Sequence, residues 1–335
     1  PNFIDSDTYF RLLVYSDANC DSVYSNIIFL EVYDALLSGV LSSDQTICYS
    51  TIPGELSFSV PPTGAAGVLD YEYQWQVSTD MVLWSDIESS TGTTYSPDVL
   101  YETTYYRVRV SSLYDCGIVF TPTLTVNVYD ELLSGTITEI DTICHGTVPG
   151  LISTQTGPTG GNLEYTYQWY SSTTGSSWSI LPGATDSSYQ PGVLTQTTYY
   201  RVDYTSGYDC GTVSSNVSEV YVHADIDPGV ISSSQVICYD SLASVIIMTE
   251  FPTGGGDISY AYQWQYSSDN SSWSDIDGEV TTEYSPGNLT TSSYYRLEVN
   301  STQADQQGLI CGPKYTESVY IEVYDALLSG VLSSD

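Results

Sequence analysis

The sequence predicts an all-β chain, built as a tandem array of antiparallel sandwich modules. Three observations predict it. First, motifs recur in fixed order. Gln74-Trp75-Gln76 returns as Gln168-Trp169-Tyr170 and Gln263-Trp264-Gln265, with a second Trp nine residues later at Trp84, Trp178 and Trp273. Tyr105-Tyr106-Arg107 returns as Tyr199-Tyr200-Arg201 and Tyr294-Tyr295-Arg296, and Pro-Thr-Gly stands at 62–64, 158–160 and 252–254. The shifts are 94 to 96 residues, the size of one small β-sandwich. Second, apolar residues alternate with polar ones in short runs, the pattern of a half-buried strand. Third, turn residues separate those runs and no amphipathic helical stretch intervenes.

Within one module, Tyr71, Tyr73, Trp75 and Val77 share a face opposite Glu72, Gln74 and Gln76. Tyr106, Val108 and Val110 alternate with Tyr105, Arg107 and Arg109, and Leu124, Val126 and Val128 with Thr123, Thr125 and Asn127. Pro53-Gly54, Pro61-Pro62-Thr63-Gly64 and Ser96-Pro97-Asp98 punctuate the runs. Trp75 stands where strand C of an immunoglobulin- or fibronectin-like sandwich places its core Trp, and 100–106 resembles the tyrosine-corner approach to strand F.

The expected division is 1–33 (the last strands of a truncated module), 34–129, 130–222 and 223–324 (complete modules), and 325–335 (the start of another). Tyr9-Phe10-Arg11 aligns with Tyr105-Tyr106-Arg107, and Glu322–Asp335 is identical to Glu31–Asp44, so the chain reads as a window on a longer array. The apolar pairs Leu36-Leu37, Leu132-Leu133 and Leu327-Leu328 mark the joints. Asp225-Ile226-Asp227-Pro228 predicts a more polar, looser joint before the third complete module.

Charge excludes whole classes of partner. The 335 residues carry 41 acidic and 6 basic side chains, a formal net charge of −35. Nucleic acid needs Lys and Arg to displace its counterions, so an ordinary nucleic-acid binder is excluded, and the same charge argues against docking on anionic lipid. Aromatic residues at 13 %, including 32 Tyr, set the chain apart from a disordered acidic tail. No apolar run approaches the ~20 residues of a membrane span.

Seven cysteines occupy two module positions: Cys48, Cys144 and Cys238 early, Cys20, Cys116, Cys210 and Cys311 late. Repeated pairs in a sandwich point to disulfides and an oxidising compartment. Two pairings compete. Within a module the separations are 68, 66 and 73 residues, the last lengthened by an insertion around 303–307; across a joint each is 28. Two collinear strands of ten would separate the joint pair by ~60 Å, and a bridge needs Cα atoms within ~7 Å. The expectation is therefore Cys48–Cys116, Cys144–Cys210 and Cys238–Cys311.

Nothing assembles a catalytic constellation. His145 takes the slot of Tyr49 and Tyr239, His223 that of Tyr129, and no nucleophile elbow, phosphate loop or zinc motif is present. The chain reads as no enzyme and as needing no cofactor. Acidic runs such as Asp275-Ile276-Asp277-Gly278-Glu279 suggest Ca²⁺ only as an alternative to a solvated loop, since EF-hand spacing is not met. Arg11, Arg107, Arg201 and Arg296 recur at one module position. They are read as structural cations stacked on an aromatic ring and paired with a carboxylate such as Glu72, or else as ligand contacts. Trp84, Trp178 and Trp273 are read as edge packing, or else as sugar-stacking platforms.

Taken in order, Ile-Cys-Tyr/His, Pro-Thr-Gly-Gly, Tyr-Gln-Trp-Gln, Trp-Ser-Asp-Ile, Thr-Tyr-Tyr-Arg-Val and Asp-Cys-Gly resemble the tandem Ig/PKD-like repeats of giant Bacteroidota cell-surface adhesins. Within these the string is most similar to the SprB-type gliding-motility adhesins, exported by the type IX secretion system. The resemblance covers essentially the whole chain. It implies a mobile extracellular filament attached at the outer membrane. Its partners would be a surface polysaccharide or abiotic substratum, and the gliding and secretion machinery through parts outside this window. It also implies O-glycosylation at Asp-Ser/Thr followed by an apolar residue, with Ser22, Thr142 and Ser241 as the candidates. A carbohydrate-binding module array and an S-layer-like coat protein are the rival readings.

Overall fold

The structure, a computed structural model, describes residues 3–18, 21–65, 71–113, 116–140, 142–256, 259–302 and 309–328. Cys20, part of the Gly64–Gly67 loop, Asp141, the insertion at 303–307 and residues 329–335 lie outside the described residues. Among the described residues every regular element is a strand, and no helix is long and apolar enough to cross a membrane. The chain falls into two compact units. One holds Pro1–Leu133, Thr159–Tyr165 and Thr205–Thr212; the other holds Ser134–Pro158, Thr166–Tyr204 and Val213–Asp335.

In the first unit, the sandwich of the first complete repeat has a large sheet and a small one. The large sheet runs in the order Ser85–Asp86, Tyr71–Ser78, Thr104–Ser112, Leu124–Val128, Gln45–Ile47, with Ile118–Phe120 also on Thr104–Ser112. The small sheet is Thr94–Tyr95, Leu56–Val60 and Val40–Leu41. Thr104–Ser112 keeps strict alternation, burying every second residue, because one face meets the core and the other solvent. Leu41, Leu56, Trp75, Tyr106, Val108, Val110, Leu124 and Val126 fill the space between the sheets. Ahead of this sandwich, Thr8–Phe10 pairs Ile28–Leu30 and Leu13–Val14 pairs Val23–Tyr24, with most of their apolar side chains exposed.

The second unit holds two further cores of the same design. Ile137, Ile152, Trp169, Tyr200, Val202, Tyr204 and Val220 form one. Trp264, Leu297, Val299, Ile246, Val319 and Ile321 anchor the other. Each core is built round a Trp with no exposed surface. Its indole Nε1 donates to a carbonyl of the arch beyond it: Trp75 to Gly92 O at 3.0 Å, Trp169 to Asp186 O at 2.9 Å, Trp264 to Thr281 O at 2.9 Å. A buried indole N–H must find such an acceptor. Two tyrosines complete the stack in every repeat, as Trp169–Tyr189 at 5.9 Å and Tyr189–Tyr200 at 5.7 Å. Burial pushes the Tyr200 phenol up to about 12, because its charged form would lose hydration inside the core.

The Gln before each Trp has a role that its sequence pattern does not disclose. Gln74 Nε2 donates to Trp75 O at 2.9 Å and to Ile87 O at 2.7 Å; Gln168 and Gln263 do the same. Placed on the polar face of the strand, it clamps the arch that carries the second Trp.

The disulfides correct the sequence reading. The structure forms Cys48–Cys210 and Cys144–Cys311, with Cα separations of 5.2 and 5.4 Å. Cys48–Cys116, Cys144–Cys210 and Cys238–Cys311 are therefore not formed, and Cys238 is an exposed free thiol. The reason is strand direction. Gln45–Ile47 lies parallel to Leu124–Val128, so Cys48 sits at the trailing end of its sandwich, where the chain leaves it. Thr104–Ser112 runs antiparallel to Leu124–Val128, so the hairpin holding Cys116 sits at the leading end. Eight strand steps separate the two ends by roughly 27 Å, far beyond the ~7 Å a bridge tolerates. An early Cys can reach only the hairpin of the following repeat. The loops closed by the two bridges overlap over residues 144–210.

Candidate functional site

Two repeated constellations stand out: an arginine stack on the large sheet and the joint between repeats.

The stack starts from a turn. Asp80 Oδ1 accepts from the backbone N–H of Val82 and of Leu83, both at 2.8 Å, an Asx-type turn that sets the approach to Trp84. Asp269 does this for Trp273, accepting from Ser271 N at 2.9 Å and Ser272 N at 2.7 Å. These amides hold both carboxyls below the usual carboxylate range. The guanidinium of Arg107 then lies 4.2 Å from the Trp84 ring and 4.3 Å from Phe120, and that of Arg296 lies 4.2 Å from Trp273 and 3.8 Å from Tyr315. Arg107 Nε donates to Gln76 Oε1 at 2.7 Å, and Gln76 Nε2 donates to Asp86 at 2.7 Å. Arg296, Gln265 and Asp275 repeat that relay at 2.8 and 2.7 Å. The second repeat has Tyr170 in the Gln slot. There Arg201 sits 4.7 Å from Trp178 and 5.4 Å from Tyr170, and pairs with Asp203 at 3.3 Å.

Each guanidinium thus covers one face of its indole, and the Trp and Arg candidates come together as one structural sandwich. Arg296→Ala is expected to cost about 1–2 kcal/mol in urea denaturation, from the lost cation–π contacts and stem packing. Arg296→Lys should recover less than half, because an ammonium lacks the planar fork that stacks and reaches Gln265. Full recovery by Lys would reduce the stack to plain charge.

The joint is built from the recurring Pro-Thr-Gly. Asp34–Leu37 pairs Thr63–Ala65, Asp130–Leu133 pairs Thr159–Gly161, and Asp227 bridges Thr253. Gly64, Gly160 and Gly254 hold φ of 87°, 76° and 81°, and a Cβ on any of them would strike the carbonyl of Ala35, Glu131 or Asp225. Only Gly permits that approach. The first Tyr of each central strand locks the turn, as Tyr71 Oη donates to Gly64 O at 2.6 Å and Tyr165 Oη to Gly160 O at 2.6 Å. Around Cys48–Cys210, Tyr129 packs on Tyr208 at 6.1 Å. Beside Cys144–Cys311, Lys314 Nζ donates to Asp225 at 2.9 Å and His145 lies 3.8 Å from the same carboxylate. Lys314 holds the Asp225 carboxyl below its ordinary range. The joint expected to be loose carries a bridge, an ion pair and the buried Ile226.

A groove of about 530 Å³ opens there between Tyr221, His223, Pro252, Thr253 and Tyr260. His223, which takes the slot of Tyr129 in the repeat pattern, is buried. Among the described residues, no three His, Cys, Asp or Glu side chains are placed to hold a metal. Of the glycosylation candidates, Ser22 is exposed, Thr142 is half-buried beside the undescribed Asp141, and Ser241 is half-buried on Ser241–Leu242.

One family model matches residues 37–130, 133–224 and 227–325, nearly the whole chain in three consecutive copies. The chain belongs to the DUF8696 family, described as a domain of unknown function. In this DUF8696 chain each copy encloses one Trp-centred core, and successive copies meet at the Pro-Thr-Gly joints. No curated protein matches it.

Solved structures similar to the DUF8696 array include the three N-terminal domains of the bacteriophage RB49 Hoc capsid protein. That likeness is 12 % identical, covers 85 % of this chain and 99 % of that one, and has a TM-score of 0.36. Mouse cadherin-23 EC22-24 is similar at 10 % identity, 88 % and 100 % coverage and TM-score 0.36. Chicken CNTN1 FN1-FN3 is similar at 13 %, 84 % and 97 %, with a TM-score of 0.27. No role for this chain follows from likenesses of that size.

Proposed function

We propose that this chain is a non-catalytic, load-carrying segment of an extracellular adhesin, with successive repeats stapled to one another. The bridges carry the reading. Cys48–Cys210 and Cys144–Cys311 each join an early Cys to the hairpin of the next repeat, and such bonds persist in an oxidising compartment. The surface agrees: −35 net charge keeps copies apart and discourages open sheet edges from pairing. The finer proposal is a gliding-motility filament of the SprB type. It would be exported by type IX secretion, held at the outer membrane and gripping polysaccharide or an abiotic substratum, and it rests on the repeat motifs alone. No cofactor is needed for this role.

The rival carbohydrate-binding array uses the half-buried Trp84, Trp178 and Trp273, which a glycan array tests directly. A stalk gives no selective glycan binding. Selective binding abolished by Trp178→Ala would replace the stalk with a lectin-like array.

A further inference from the structure

The trailing end of the third complete repeat repeats a surface that is occupied at both earlier joints. Gln235–Cys238 lies parallel to Val319–Tyr324, with Cys238 in register with Tyr324. This is the arrangement of Gln45–Ile47 beside Leu124–Val128, where Cys48 follows and Tyr129 N donates to Ile47 O at 3.0 Å. Cys48 and Cys144 are each bridged to a hairpin of the following repeat, whereas Cys238 is an exposed free thiol. Tyr129 packs on the hairpin's Tyr208, whereas Tyr324 is 58 % exposed.

The segment leaving this end gives a second, independent observation. Asp325-Ala326-Leu327-Leu328 has the sequence of Asp34-Ala35-Leu36-Leu37. Asp34–Leu37 is a strand paired to Thr63–Ala65, and it buries Leu36 to 6 % exposure. Leu327 and Leu328 are 101 % and 92 % exposed. Among the described residues, a thiol, a phenol and an apolar segment at one end of one sandwich therefore lack the partners their counterparts have.

We infer that this end is a covalent docking site for one further DUF8696 repeat. The Pro-Thr-Gly turn of the guest pairs with 325–328, and its Asp-Cys-Gly hairpin forms a disulfide with Cys238. The occupant must supply both features at its leading end, which is how the second repeat meets Cys48 and Asp130–Leu133. The inference does not depend on an adhesive role. Bond formation needs a two-electron oxidant, here a low-molecular-weight disulfide. The Cys238 thiolate attacks one of its sulfurs and expels a thiolate. The guest thiolate then displaces the second small thiol from the mixed disulfide. Two protein thiols are oxidised, one small disulfide is reduced to two thiols, and two protons pass to them.

The test extends the full chain by appending a copy of residues 45–129 after Asp335, which is in register because 322–335 repeats 31–44. The appended copy carries Val119→Leu as a mass tag, and both chains are equilibrated in a reduced and oxidised glutathione buffer. Extension should lower Cys238 alkylation by N-ethylmaleimide by roughly tenfold or more, since only a thiolate reacts. Unreduced peptide mapping should link Cys238 to the tagged hairpin. Cys238→Ser in the extended chain should leave the tagged Cys reactive, with circular dichroism unchanged. Unaltered Cys238 reactivity would overturn the inference. So would its recovery bound to glutathione, to another copy of Cys238, or to any cysteine other than the tagged one.

Discussion

Stretched from its ends with both disulfides intact, the chain is expected to yield far less length than its sequence contains. Cys48 and Cys311 are 263 residues apart (311 − 48), yet the shortest covalent route between them crosses both bridges and only the 66 residues from 210 back to 144. Tension therefore bypasses 48–144 and 210–311. Reduction should release 197 further residues (263 − 66), on the order of 650–700 Å at ~3.3–3.6 Å per residue. Single-molecule pulling should show that, between Cys48 and Cys311, only the segment from Cys144 to Cys210 lengthens while the bridges hold, with additional events after reduction. At rest, each bridge closes a loop above 160 residues, worth about 5 kcal/mol in the chain-entropy model. Unreduced peptide mapping should link Cys48 to Cys210; recovery of Cys48 bound to Cys116 would sink the assignment.

Trp169→Ala is expected to be the most damaging single substitution. The indole has no exposed surface, stacks on Tyr189, and donates to Asp186 O. Truncation removes those contacts, leaves a cavity between two sheets and orphans a carbonyl, about 3–5 kcal/mol together. Chemical denaturation should resolve the loss as early melting of the second repeat, while the cores around Trp75 and Trp264 hold, since the first packs only its own residues and the other takes only Cys144 from the second repeat. Trp169→Phe should lose less, because it keeps the stack and forfeits the N–H. Equal loss of all three cores would show that the repeats do not fold independently.

These two expectations draw on different depths of legibility. The Trp positions and the alternation of Thr104–Ser112 are local patterns, and period-two burial writes them into the residues. The Arg–Trp meeting was half legible, since recurrence marked both residues but their contact needs the Asp80 turn to bring Trp84 over the sheet. The Gln74 clamp left no periodic trace, because a Gln on a polar face looks like solvation. The disulfide partners were hidden for a topological reason. Sequence separation says nothing about which end of a sandwich a residue occupies. Only the parallel pairing of Val126 with Gln45 places Cys48 at the end opposite Cys116. A strand-parity count with that pairing in hand would have excluded every bridge within a repeat.

The overlap of the two closed loops has a further consequence when a protease attacks. Between Cys48 and Cys311 the main chain and the two bridges make a network in which each branch has a detour. Hydrolysis of any one peptide bond in that span leaves a single covalent molecule. A nick between 48 and 144 is bridged by 48–210–144, and one between 144 and 210 by 144–311–210 or 144–48–210. Even two cuts in different branches leave it whole; separation takes two cuts within one branch, which free the piece between them, or one cut in each of the three branches. Exposed loop tips invite proteolysis, and here an isolated lesion within that span severs nothing.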